Sequence, residues 1–177
     1  LFTSHLDKSA YSQRKLLKKT KFPLAIHAFC VYLQRIYKST GTMLIGRKSE
    51  QKTLLSLLSK EESQLCVVYG RRRVGKTYLI CETFHYRFTF QHTGVARGNS
   101  REQLRAFRDS LAAAGLRAAI PRNWFEAFDL LKQLIDKAPA GKKMIFIDEL
   151  PWMDTPKANM IGALEHFWNG WATARAE

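Results

Sequence analysis

Three observations predict an α/β fold with a mainly parallel sheet flanked by helices for this 177-residue chain. Short β-rich runs alternate with segments of helical period. One such run, Gln64–Tyr69, passes through a glycine-bearing loop directly into a helical segment. Another, Lys143–Asp148, holds four apolar residues flanked by charge, the pattern of a buried parallel strand.

The elements follow in order. Behind Ser49, Leu54, Leu55, Leu57 and Leu58 recur at helical spacing, which predicts a helix over Ser49–Ser59 with an imperfect cap, since Lys52 stands where a capping box needs an acid or amide. Gln64–Tyr69 (QLCVVY) is rich in strand formers and stops at Gly70, so it reads as a buried strand. A helix is expected from Lys76 to about Phe84. Tyr86–His92 alternates aromatic and polar residues, a second strand. Asn99 or Ser100 caps a helix running to Ala114 and stopped by Gly115; Asn123 caps another through Asp136, closed by Pro139 and Gly141. Lys143–Asp148 is the third strand. Lys157–Ala174 is helical, with Ile161, Leu164, Phe167, Trp168 and Trp171 on one apolar face. No internal repeat is visible.

A composition of 46% hydrophobic and 25% charged residues excludes a wholly disordered, collagen-like or low-complexity chain. The net charge of +14 invites a polyanion partner. Half of it sits in the first quarter of the chain, where residues 1–43 hold eight bases and one acid. Residues 1–42 look foreign to the rest, as an N-terminal extension ahead of a domain that starts at Met43. The chain opens with Leu1, and its first methionine is Met43. The apolar stretch Phe22–Tyr37 follows a basic run but is too short to span a bilayer and lacks an A-x-A-like cleavage site. It is open to three readings: an amphipathic extension, a poorly inserted targeting segment, or sequence upstream of a true start at Met43. The last is favoured. Three cysteines, Cys30, Cys66 and Cys81, form no CxxC pair and read as reduced thiols of a cytoplasmic protein. His85, His92 and His166 have no metal-ligand spacing, so core or surface roles are expected. Trp152, Phe167, Trp168 and Trp171 are expected to pack the sheet or to stay partly exposed.

The chemistry concentrates in two motifs. Gly70-Arg71-Arg72-Arg73-Val74-Gly75-Lys76-Thr77 fits G-x-x-x-x-G-K-[ST] at every defined position, between a predicted strand and a predicted helix. Gly70 and Gly75 permit the torsions that turn successive N–H groups around a phosphate, and the helix starting near Lys76 adds its positive end. Lys76 can then reach the β- and γ-phosphates, the Thr77 hydroxyl can ligate Mg²⁺, and Tyr78 is counted with the loop among the nucleotide-binding residues. Arg71, Arg72 and Arg73 either screen phosphate charge or lie in solvent. The second motif is Met144-Ile145-Phe146-Ile147-Asp148-Glu149. The C-terminal end of a parallel strand faces the ligand crevice of an open sheet, which would place Asp148 beside the loop as a metal ligand. Glu149, one residue on, is placed to deprotonate an attacking water.

VVYGRRRVGKT followed by IFIDELPWM, with IGRKSE ahead of both, resembles the archaeal-type ATPase family of AAA+-like P-loop NTPases. The resemblance covers about Met43 to the end. It implies that Gly70–Thr77 is a Walker A motif and Met144–Glu149 a Walker B motif, with ATP and Mg²⁺ as ligands, Lys76 and Glu149 in catalysis, and Thr77 and Asp148 on the metal. It also implies that Ile45-Gly46-Arg47 lies near the adenine. Family members carry about five core strands, with a sensor strand between the two motif strands and an arginine finger beyond. The chain shows three, so residues 43–177 are expected to be the N-terminal part of such a domain, and hydrolysis by the isolated chain weak or nil. Expected partners are downstream domains or a second copy. Nucleic acid is compatible with the charge, although no basic–aromatic motif follows Met43. The other function class is an ATP-bound switch module with little hydrolysis.

Overall fold

The computed structural model describes residues 46–175, all within one compact unit. Phe22–Tyr37, Cys30 and Ile45 lie outside them. The described chain is α/β. Its helices are α1 (Lys48–Leu58), α2 (Lys76–Thr83), α3 (Ser100–Ala113), α4 (Trp124–Lys137) and α5 (Met160–Gly170). Two strands, β1 (Phe90–Thr93) and β2 (Ile145–Asp148), pair in parallel, with Phe90 opposite Ile145 and Thr93 opposite Asp148. No helix among the described residues is long and apolar enough to cross a membrane.

The helix boundaries obey local chemistry. Asn99 and Glu102 form a reciprocal capping box at the start of α3, satisfying two backbone donors. Asn123 accepts from the Glu126 amide at 2.9 Å and so caps α4. The last helix is shorter than its apolar pattern suggests. Left-handed torsions at Lys157 and Asn159 delay its start, and a break at Trp171 leaves only a 3₁₀ turn over Ala172–Ala174.

The core is aromatic. Phe90 and His92 of β1 both set their rings 5.1 Å from that of Phe107 on α3. Phe107 meets Trp124 of α4 edge-on at 5.4 Å, and Phe128 stacks on Phe167 of α5 at 5.3 Å. Phe107, Leu111, Ala127, Leu131, Met153 and Met160 are fully buried. Dispersion and apolar burial along this chain of rings join β1, α3, α4 and α5 into one body. Phe167 is thus buried, while Trp152, Trp168 and Trp171 are half-buried.

Two strand expectations need correction. Gln64–Tyr69 is not a strand: among the described residues its backbone makes no hydrogen bond to another backbone, and Leu65, Val67 and Tyr69 are 57%, 72% and 90% exposed. Side chains hold the flanks of this segment instead. Ser63 Oγ donates to the Arg175 carbonyl at 2.7 Å, and Lys142 Nζ to the Lys60 carbonyl at 2.5 Å. Strand composition alone cannot make a strand where no neighbouring edge takes up the backbone. Among the described residues the sheet therefore has two strands, not the three expected. The other strand expected over Tyr86–His92 begins four residues later. His85 and Tyr86 adopt left-handed torsions, and the Tyr86 amide closes the end of α2 on the Cys81 carbonyl at 2.9 Å. Pairing starts only where Thr89 and Phe90 both donate to the Met144 carbonyl.

Candidate functional site

β2 ends at Asp148, and the phosphate-type loop opens α2; one hydrogen bond brings them together. Thr77 Oγ1 donates to Asp148 Oδ2 at 2.7 Å across 71 positions of sequence. The other carboxylate oxygen, Oδ1, accepts the Glu149 amide at 2.9 Å, which fixes the carboxyl plane at the strand end. Two oxygen ligand types, a hydroxyl and a carboxylate, thus sit in direct contact, the donor chemistry that hard divalent cations take.

The loop itself is built on reversed torsions. Gly70 (φ 145°), Arg73 (φ 62°) and Gly75 (φ 76°) all lie at positive φ. Glycine adopts such angles without cost, whereas Arg73 stores on the order of 1 kcal/mol of backbone strain. A Cβ at Gly70 or Gly75 would meet nothing within 4 Å, so torsion and not crowding is what requires glycine here. No side chain caps the first turn of α2, whose first intrahelical bond is Leu79 N–H to the Gly75 carbonyl at 2.9 Å. The amides of Lys76 and Thr77, in the first turn, are donors that helix geometry leaves without an intrahelical partner. Lys76 Nζ donates to the carbonyls of Gly70 (3.1 Å) and Arg71 (2.9 Å), which folds the ammonium over the loop. These features fit a polyphosphate with a divalent cation: open amides, a cation on the loop, and a hydroxyl–carboxylate pair beside both.

The remaining predicted residues take distinct places. Arg71, Arg72 and Arg73 are exposed, as is Val74. Arg72 sets its guanidinium 5.9 Å from the Trp152 ring centre, the outer reach of a cation–π contact. Tyr78 is half-buried on α2. Glu149 is exposed, in a left-handed conformation (φ 52°, ψ 37°) that opens the 3₁₀ turn Leu150–Trp152. Arg47, just ahead of α1, donates to the Val74 carbonyl at 2.5 Å and ties that helix to the loop. The nearby Cys81 thiol is buried, and burial, reinforced by the charges of Asp148 and Glu82, pushes its pKa up to about 11, so it stays protonated and inert. Among the described residues, no three His, Cys, Asp or Glu side chains gather as a metal cage.

Sequence reasoning missed Gln103 and Gly94. Gln103 is fully buried and fully engaged: Oε1 accepts the Val95 amide (2.9 Å), and the two Nε2 hydrogens serve the carbonyls of Val95 (2.6 Å) and Trp152 (2.9 Å), with the Gly98 carbonyl a shared acceptor at 3.3 Å. The signal was present. Gln103, Phe107 and Leu111 share one buried stripe of α3, and an amide at an apolar position of such a stripe needs partners. Gly94 donates its amide to the Asp148 carbonyl at 3.0 Å, one step beyond the strand pairing.

No protein-family model, curated protein or solved structure matches this chain.

Proposed function

We propose that this chain binds Mg²⁺–ATP through Gly70–Thr77 and Asp148, with Glu149 as the general base of hydrolysis, as an archaeal-type ATPase of the AAA+-like P-loop class. The 2.7 Å contact between Thr77 and Asp148 carries the reading, because two motifs far apart in sequence meet in the order the chemistry needs. The amides at the start of α2 would hold the phosphates, and Lys76 would exchange its carbonyl partners for phosphate oxygens, the better acceptors. When bound, Mg²⁺ would neutralise phosphate charge. Thr77 and Asp148 are the residues to hold it. Glu149, held at the end of β2, takes the proton of a water aimed at the γ-phosphate. The experiment is ATP turnover by the complete gene product and its Glu149→Gln variant. Turnover should fall at least ~100-fold while ATP stays bound. Equal turnover by the two proteins contradicts the assignment.

A second reading, a nucleic-acid-associated switch in which ATP is bound and seldom hydrolysed, draws on charge. Residues 46–175 alone hold 21 Lys and Arg against 13 Asp and Glu. Salt-dependent DNA binding by this chain would favour it.

A further inference from the structure

The turn that carries Glu149 is held by more contacts than its exposure suggests. Glu149 is not glycine, yet it sits at φ 52°, a conformation that persists only where surroundings enforce it. Three restraints converge on the residues just after it. The Trp152 amide donates to the Glu149 carbonyl at 3.0 Å, closing the 3₁₀ turn. Met153 is fully buried and anchors the end of that turn in the core. The Trp152 carbonyl accepts from Gln103 Nε2 at 2.9 Å. Gln103 is itself immobilised by Val95 and Gly98 in the loop after β1, and that loop begins at Gly94, whose amide holds the Asp148 carbonyl. A second strap runs alongside: the hydroxyls of Ser100 and Thr155 are 2.6 Å apart.

We infer that Gln103 is the positioning residue of Glu149: its amide locks the Leu150–Trp152 turn to the β1–α3 loop and thereby fixes where the Glu149 carboxylate stands. Gln103 touches no nucleotide in this scheme; it acts through the turn. A buried amide is suited to the task because one side chain both accepts and donates, and leaving any of its partners unmet inside the fold is costly. The inference rests on the proposed ATPase reading and adds to it the element that sets the geometry of the base.

The test uses the complete gene product with two variants, Gln103→Leu and Gln103→Glu, read by equilibrium Mg²⁺–ATP binding and by single-turnover hydrolysis. Loss of the lock displaces the base without touching the phosphate loop. Gln103→Leu should therefore keep its ATP Kd within about twofold and slow hydrolysis by about tenfold or more. Gln103→Glu preserves shape, and only its protonated carboxyl can donate to the Trp152 carbonyl. Its hydrolysis deficit should shrink as pH falls and deepen as pH rises while its ATP Kd stays within about twofold, whereas a merely structural role moves affinity and turnover together. Should Gln103→Leu fail to fold, the pH profile of Gln103→Glu decides alone. Unchanged hydrolysis in a folded Gln103→Leu protein, parallel loss of affinity and turnover, or a pH-independent Gln103→Glu deficit overturns the inference while wild-type turnover leaves the ATPase reading standing. A wild-type protein that binds no ATP overturns both.

Discussion

Thr77 and Asp148 share a hydrogen bond of 2.7 Å that links the first turn of α2 to the last residue of β2. It links the two motifs side chain to side chain, and it can be measured without any ligand. A double-mutant cycle with Thr77→Val and Asp148→Ala, followed by urea unfolding, should give a coupling near 1 kcal/mol. Additive effects of the two substitutions would mean that the contact contributes nothing in solution.

Gly94 is confined by contact and not by torsion. A Cβ there would stand 2.6 Å from the Glu149 carbonyl oxygen and 3.0 Å from Met153 Cγ. Backbone cannot yield as a flexible side chain does, so Gly94→Ala should destabilise the fold by about 2–3 kcal/mol. Wild-type stability in the Gly94→Ala protein would show that the strand end and the following turn are looser than these distances require.

His92 gives the fold a specific acid sensitivity. It is buried on β1, its Nδ1 lies 2.9 Å from Ser110 Oγ, and burial pushes its pKa down from 6.5 to about 4. The unfolded chain takes up the proton first as pH falls, so the stability contributed by neutral His92 is full above about pH 6.5 and is lost progressively toward pH 4. The loss amounts to on the order of 3 kcal/mol. Urea unfolding across that range should show a steep decline in the wild type and a flatter one in His92→Phe, which removes the titrating ring from a pocket of phenyl groups. Equal slopes would place the acid sensitivity on other groups.

Much of the fold was legible in local sequence signals. The Asn99 and Asn123 caps, the helices they start and the acid pair closing Lys143–Asp148 all rest on short-range chemistry, and each lies within a few residues of its expected position. What failed depended on distant partners. The QLCVVY run has strand composition, but a strand also needs an adjacent edge, and none of the described residues pairs with it. The start of β1 was misplaced because the left-handed pair His85–Tyr86 consumes residues that alternate like a strand. At the site, the loop and the acids were readable as motifs. For Gln103 the sequence shows only an amide in an apolar stripe; its partners lie up to 49 positions away and only the tertiary fold brings them to it.

The proposed function requires the loop Gly70–Thr77 and the strand end at Asp148 to hold one metal-bound triphosphate. Titration of this chain with a fluorescent ATP analogue, with and without Mg²⁺, tests it most directly, in the wild type, Lys76→Ala and Asp148→Ala. The wild type should bind with a Kd in the range of about 1–100 μM. Lys76→Ala should weaken binding at least ~10-fold with or without the metal, while Asp148→Ala should abolish only the gain that Mg²⁺ provides. Binding that is indifferent to both substitutions, or no binding by the folded wild type, would contradict the account.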